Sequence, residues 1–249
     1  MLKTRVIPVM LIQDGYFVKT TKFKNPEYVG DPLNIVKIFS DKEADEITIY
    51  DIGSLVTKDN INYKLIENIA SNIRMPLCYG GGITNIDQAE KLFSLGVEKI
   101  SISRGFIKNP NFLNLLSEKF GSQSIVVTID LDKDFNNNYI IDNYQTQKES
   151  ECINFIKEIS KHGVGEIIIN CKHKDGTKEG YDLKLIDLIY SITNTPITIV
   201  GGANSYENIV NISKEYPGLG FGVGNLFIYK GKHNAVLISY PEQHVKKND

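Results

Sequence analysis

The sequence predicts a (β/α)8 barrel. Three observations carry the prediction: eight short apolar runs, helical patterns between them, and a repeat at about half the chain length. Alternation of strand and helix signals from end to end indicates a parallel sheet. At 249 residues the chain has the usual length for eight such units in one domain. A chain of this size buries roughly 75% of its unfolded surface, so its core needs no staples.

Taken in order, the first run is VIPVML (6–11), opened by Arg5. NIVKIFSDKEA follows, with Ile35, Ile38 and Phe39 at helical spacing. Glu46 opens ITIYD (47–51), and LCYGG (77–81) closes on Gly81. NIDQAEKLFSLG reads as a helix with Gly96 as its C-cap. Lys99 opens ISIS (100–103), and IVVTID (125–130) ends on Asp130. SECINFIKEISKHG is a helix with Ser150 as N-cap and Gly163 as stop. Glu166 opens IIIN (167–170), and ITIVGG (197–202) and GLGFGVG (218–224) complete the set. No linker or composition shift divides the chain, so residues 1–249 are expected to form a single domain.

The repeat favours a closed barrel over an open sheet. PLCYGGGITNIDQ (76–88) is similar to PITIVGGANSYEN (196–208), 120 positions later, and Gly81-Gly82 aligns with Gly201-Gly202. A copied set of four βα units gives this pattern, with a chance recurrence of a strand–Gly-Gly motif as the plainer alternative.

Composition bounds the function. Hydrophobic content is 41%, charged content 23% and net charge −2, with a pI near 6.1. This charge balance argues against nucleic acid, where a basic patch is expected, and no apolar stretch approaches the roughly 20 residues of a membrane span. Three widely spaced cysteines, Cys78, Cys152 and Cys171, support neither a disulfide framework nor a zinc site. They fit a reducing compartment, and a cytoplasmic protein is expected. The start, MLKTRVIPVMLI, reads as a strand and not as a signal peptide. Four histidines (His162, His173, His233, His244) lack ligand spacing and read as solvated or helix-end side chains, so no metal and no cofactor is expected. GxGxG at 220–224 is a weak match to a dinucleotide fingerprint, lacking the GxGxxG form.

In a parallel barrel the chemistry lies at the C-terminal ends of the strands. Gly81, Gly82, Gly201 and Gly202 end strands there, and glycine admits a phosphate close to the backbone. Asp175-Gly176-Thr177 follows strand 6, and Gly224-Asn225 follows strand 8. Arg104, after strand 4, adds a cationic fork. These residues are candidates for two anion or phosphate sites facing each other across the mouth; the plainer reading makes the glycines turns only. Asp130 shares an inward face with Val126 and Thr128 and is the candidate general acid or base, with a loop or capping role as the alternative.

Four charged residues open strands: Arg5, Glu46, Lys99 and Glu166. By period 2, Arg5 shares a face with Ile7, Val9 and Leu11; Glu46 with Thr48 and Tyr50; Lys99 with Ser101 and Ser103; Glu166 with Ile168 and Asn170. If that face is inward, the four form a ring across one end of the barrel, and burial obliges them to pair. Polar strand starts in contact with solvent are the bland alternative.

The segments RVIPVMLIQDG, VKTTKFKNP, GDP, DEITIYDI, YGGGI, GVEKISIS, GSQSIVVTID, GEIIIN, KDGTKEGYD and VGGA resemble the cyclase subunit of imidazole-glycerol-phosphate synthase, HisF, over essentially the full chain. The resemblance implies a barrel that binds a substrate with two phosphates. It also implies a HisH-like glutaminase subunit docked on the barrel's bottom, sending ammonia through its centre. The family's salt-bridge gate falls on Arg5, Glu46, Lys99 and Glu166, and its acidic docking position on Glu98. One of its two catalytic aspartates falls on Asp130; the other falls on Leu11, which carries no proton at any pH. Its phosphate contacts after strands 4 and 8 read Ser103-Arg104 and Gly224-Asn225 here. These departures, with the tail YKGKHNAVLISYP, resemble a divergent branch: HisF-like proteins of acetamidino-sugar modification. That branch implies a glutaminase and an asparagine-synthase-like sugar amidotransferase as partners, with the barrel as conduit. An ordinary cyclase of histidine biosynthesis is the alternative.

Overall fold

The computed structural model describes residues 4–53, 61–103, 111–142 and 148–241. Eight parallel strands close on themselves. In chain order they are β1 (Arg5–Gln13), β4 (Ile47–Asp51), β5 (Leu77–Gly80), β6 (Lys99–Ile102), β7 (Ile125–Lys133), β9 (Glu166–Cys171), β10 (Ile197–Val200) and β11 (Gly220–Val223). Pairing of β1 with β11, Arg5 opposite Gly220 through Pro8 opposite Val223, seals the barrel. Helices α1 (Pro32–Asp41), α2 (Tyr63–Ala70), α3 (Ile86–Ser94), α4 (Asn111–Phe120), α5 (Glu149–Ile159), α6 (Leu183–Tyr190), α7 (Tyr206–Glu215) and the single turn α8 (Asn225–Ile228) follow the strands in turn.

Period-2 alternation divides the apolar residues into two cores. Outward-facing Val6, Ile49, Tyr79, Ile100, Val127, Ile169, Ile199 and Phe221 pack against the helices. Inward-facing Val9, Cys78, Val126, Ile168 and Val200 form a smaller cluster inside the barrel, with Tyr50 packed on it. Inward positions of β11 are Gly220 and Gly222, with Gly224 just past the strand's end, which explains GxGxG without a nucleotide. A Cβ at 220 would overlap the Thr198 hydroxyl and lie 2.8 Å from Arg5 Nη2; one at 222 would press on Val200 and Val9.

The two halves of the repeat fold alike. Gly81 and Gly82 have φ of 141° and 68°, Gly201 and Gly202 of 101° and 100°. Asn85 and Ser205, at equivalent positions, each cap the next helix by accepting from the third residue on, Gln88 N at 2.9 Å and Asn208 N at 3.1 Å. Gly96 lies just past the end of α3 at φ 96°, and Gly163 stops its segment in the left-handed region at φ 65°. The N-cap of α5 is Lys148, two residues before the expected Ser150, so the helix starts earlier than the capping signal suggests.

Three additions decorate the barrel. β1 runs on into a hairpin with β2 (Tyr16–Thr21), which pairs in turn with β3 (Lys24–Gly30). Asp14 and Gly15 both have positive φ, 52° and 83°, as a two-residue hairpin turn demands. β8 (Tyr139–Ile141) pairs antiparallel with β7. The tail forms β12 (Tyr229–Lys230) and β13 (Ala235–Val236), then returns to β1, where the Tyr240 hydroxyl donates to Val6 O at 2.8 Å. Among the described residues no helix is long and apolar enough to cross a membrane.

Candidate functional site

The four strand-opening charges meet at the N-terminal end of the barrel. Lys99 Nζ lies 2.7 Å from Glu46 Oε2 and 3.1 Å from Glu166 Oε2. Arg5 forks onto Glu166 through both Nη atoms, donates to Thr198 Oγ1 at 2.9 Å, and has Nη1 3.9 Å from Glu46. The carboxylates are the buried members, with Glu46 and Glu166 side chains 5% and 4% exposed; Arg5 and Lys99 keep 32% and 19%. Burial raises the Glu46 pKa against the pull of Lys99. Burial acts the same way on Glu166, but Arg5 and Lys99 outweigh it and the pKa is lowered. Lys99 itself is raised, because the two glutamates outweigh its own desolvation. Two positive and two negative charges thus neutralise each other around the axis. Glu98 lies at the same end, exposed, its Oε2 accepting from Leu77 N at 2.6 Å.

Above the ring the inner wall mixes apolar and hydroxyl side chains. Thr48, Ser101, Thr128 and Thr198 are all buried there. Tyr50 hydrogen-bonds to Thr128 Oγ1 at 2.8 Å, and Thr128 to Ser101 Oγ at 2.6 Å.

At the opposite, C-terminal mouth, Asp130 ends the inner face of β7 and accepts from Asn170 Nδ2 at 3.1 Å. Leu11 stands in register with Tyr50 of β4 and Val18 of β2, so the inner face of β1 ends in an apolar side chain. Lys19, on β2, is a mouth residue that the sequence reading missed. It is 6% exposed, and its Nζ donates to Val9 O. Burial lowers its pKa from 10.5 to about 8, with Asp175 opposing. A Cβ at Gly224 would lie 3.0 Å from Lys19 Nζ, so that glycine leaves room for the lysine.

Asp175 is taken up by the hairpin. Its carboxylate accepts from Thr20 Oγ1 at 2.8 Å and Phe23 N at 3.2 Å, and its carbonyl accepts from Lys22 N at 3.1 Å. Burial raises its pKa, and these donors and Lys19 oppose the rise. Lys22 and Phe23 have positive φ, 53° and 61°. Each costs about 1–2 kcal/mol, and the Asp175 bonds hold that turn in place. Gly176 packs against Thr20 O and accepts at its carbonyl from Asn225 Nδ2 at 3.2 Å, tying the loops after β9 and β11 together. The Thr177 hydroxyl is bonded within its own turn, to Lys174 O at 3.1 Å. Gly201 and Gly202 pack against Cys171 and Gly180, where no Cβ fits. Ser103 is half-buried after β6, and Arg104 lies outside the described residues.

One histidine differs from expectation. His173 is largely buried, with Nε2 3.0 Å from Asp182 Oδ2. Burial pushes the Asp182 carboxyl up, but hydrogen bonds from His173, Lys133 and Tyr139 hold it well below the usual range. The turn after β9 carries this side chain inward, which spacing alone does not reveal. His162 lies at a helix end and His233 is exposed, while His244 lies outside the described residues. Among the described residues no group of three or more His, Cys, Asp or Glu side chains is placed to hold a metal ion.

Comparison with known proteins follows the same lines. The sequence profile of the histidine biosynthesis protein family matches residues 5–234. A relative from Leptospira borgpetersenii, provisionally named imidazole glycerol phosphate synthase subunit HisF, is 45% identical over 244 residues, 97% of this chain and 96% of its own. One from Vibrio vulnificus (strain YJ016), provisionally named subunit hisF3, is 45% identical over 250 residues, 99% of this chain and 96% of its own. The imidazole glycerol phosphate synthase subunit HisF of Actinobacillus pleuropneumoniae serotype 7 (strain AP76) is 35% identical over 210 residues, 82% of each chain.

Proposed function

This chain belongs to the histidine biosynthesis protein family as a HisF-like member, and from that premise we propose that it is the ammonia-conducting barrel subunit of a glutamine-dependent amidotransferase system. The observation that carries the reading is the ion-pair ring of Arg5, Glu46, Lys99 and Glu166 at the N-terminal end, below a lumen lined with hydroxyls. Buried charges are costly unless paired, and an apolar barrel floor is the simpler way to build a stable core. A mutually neutralised ring lets a small neutral molecule pass when one side chain swings aside, and it holds back ions.

A HisH-like glutaminase is the partner at that end, with Glu98 within its footprint. At the mouth, Leu11 removes one member of an acid/base pair and leaves Asp130 with Asn170. Loss of a proton-transfer group costs about 10²–10⁴-fold in rate. We therefore assign ring closure to other proteins and delivery of ammonia to this one. The acceptor enzyme is a sugar amidotransferase of the asparagine-synthase type. Relatives at 45% identity carry provisional and numbered subunit names, while a plainly named HisF stands at 35%, which agrees with a divergent branch. The glycine loops at 81–82, 201–202 and 224–225, with Ser103, Arg104 and 175–177, are the place for an anionic or phosphorylated small molecule.

The test is direct. Purified barrel with ammonium forms no imidazole-glycerol phosphate, and the gene does not rescue a histidine auxotroph, while the complex couples glutamine hydrolysis to sugar amidination. Robust cyclisation, or rescue, overturns the reading. Retention of Asp130 at the C-terminal mouth, bonded to Asn170, is the observation that favours the second reading, an ordinary cyclase subunit of histidine biosynthesis, and the same assay decides between them.

A further inference from the structure

Three segments meet on one side of the C-terminal rim. Asp175, in the loop after β9, holds the Lys22–Phe23 turn of the β2–β3 hairpin through its carbonyl and carboxylate. Further along the same loop, Lys178 reaches the tail hairpin. Its Nζ donates to Asn234 Oδ1 at 3.1 Å and lies 5.7 Å from the centre of the Tyr229 ring. Burial, and then the Glu27 carboxylate, push the Tyr229 phenol up, which places β3 beside the same hairpin.

The tail hairpin stands where the fold's own pattern calls for a helix. Helices α1 to α7 run eight to eleven residues each, whereas α8 stops after four. β12 and β13 pair over two residues only, and every residue from Lys230 to Leu237 is exposed. So short a hairpin adds little stability of its own. It nevertheless shows Val236 and Leu237 to solvent, 49% and 61% exposed. The charge around them is mostly of one sign. Lys22 and Lys24 are exposed at the β2–β3 turn, Lys230 and Lys232 on the tail hairpin, and among the described residues none of the four has an ion-pair partner. Two carboxylates lie among them, Glu27 and Glu179, and Glu179 is taken up by Lys174 at 3.2 Å. On a chain of net charge −2 this is a local excess of positive charge. A small apolar centre with a charged rim is the make-up of a protein-recognition surface.

We propose that the Lys22–Lys24 turn and the tail hairpin around Val236 and Leu237 dock an acidic surface of the acceptor amidotransferase. The identity of that partner rests on the conduit reading; the seat and its chemistry are new. The rim adjoins the C-terminal mouth, so an enzyme held there receives what leaves the barrel. The lysines steer the encounter, and the apolar pair holds the complex once formed. Nucleic acid and anionic membrane also attract lysines, but neither consumes ammonia at the mouth.

The experiment follows association of the glutaminase-loaded barrel with the purified amidotransferase across a salt series. The variants are Lys22→Glu with Lys24→Glu, Lys230→Glu with Lys232→Glu, all four together, and Val236→Ser with Leu237→Ser. Melting temperature is the folding control. Reversing the four charges slows association about 10–100-fold at low salt, and the difference fades as salt rises. Val236→Ser with Leu237→Ser leaves the association rate near wild type and speeds dissociation about tenfold. Glutamate production by the barrel and glutaminase alone is unchanged throughout, because that partner sits at the opposite end. Association of the four-charge variant within about twofold of wild type overturns the docking surface. So does a wild-type barrel that binds phosphatidylserine vesicles or a short single-stranded RNA through these lysines and does not bind the amidotransferase. A Lys99→Met barrel, its rim intact, separates this outcome from the conduit. Rim variants that bind normally, with Lys99→Met uncoupled, overturn the docking surface and leave the conduit standing. Rim-dependent binding, with Lys99→Met fully coupled, does the reverse.

Discussion

Replacing Lys99 with methionine keeps the aliphatic stem and removes only the ammonium. That ammonium lies 2.7 Å from Glu46 and 3.1 Å from Glu166, whose side chains are 5% and 4% exposed. Without it two buried carboxylates share one guanidinium. Arg5 already serves Glu166 and stands 3.9 Å from Glu46, so Glu46 is stranded. Removing one member of a buried pair costs about 3–5 kcal/mol. Lys99 is 19% exposed, and solvent access puts the loss at the low end, about 3 kcal/mol. The sign of the pH dependence follows from Glu46, whose folded pKa is already raised by burial and rises further when Lys99 is gone. A carboxyl with a raised folded pKa contributes most at low pH and loses that contribution as pH rises through the folded value. The variant's deficit is therefore largest at neutral pH and shrinks towards about pH 5. Urea unfolding of wild type, Lys99→Met, Glu46→Gln and the double variant, at both pH values, measures this. The double variant should be more stable than Lys99→Met alone, since glutamine leaves no charge to strand. A Lys99→Met deficit below about 1 kcal/mol, equal at both pH values, would refute a desolvated ring.

Other perturbations test the mouth and the barrel floor. Lys19 should titrate near pH 8, followed by NMR of its side-chain nitrogen. Between that value and 10.5 the unfolded chain binds more protons, so stability rises with pH by up to about 3 kcal/mol, and Lys19→Met should abolish the rise. Asp175→Ala removes the bonds to Thr20 and Phe23 and should cost about 2–3 kcal/mol, with faster hydrogen exchange at Lys22 and Phe23. Gly220→Ala places a methyl against Thr198 and Arg5 and should cost about 1–3 kcal/mol while displacing the guanidinium in a crystal structure.

Strand positions were legible because inward and outward faces alternate. ITIYD (47–51) is a strand over those residues, and the run at 125 begins where expected, although it continues to Lys133 because β8 pairs with it. Parity put Arg5, Glu46, Lys99 and Glu166 on one face of their strands but left polar strand starts in solvent as an equal alternative; the family resemblance, and not spacing, favoured the ring, and burial then obliges the four to pair. The hairpin after β1 was not read, although Asp14-Gly15 is a strong turn signal. Its second turn, Lys22-Phe23, carries no such signal, since it depends on Asp175 from a loop about 150 residues away. For the same reason Asp175, read as an anion contact, was not read as the anchor of that turn. Lys19 was hidden because a lysine in a short strand looks solvated until the hairpin folds over the mouth. The inward turn of His173 depends likewise on Asp182 in the following helix cap.

Isotope competition tests the proposed passage of ammonia inside the barrel most directly. The complete complex is given glutamine labelled with nitrogen-15 in the amide, in a large excess of unlabelled ammonium. Enclosed transfer predicts a product that carries nitrogen-15 almost throughout, and a Lys99→Met complex whose product is diluted. A wild-type product with the isotope ratio of the surrounding ammonium would contradict the account.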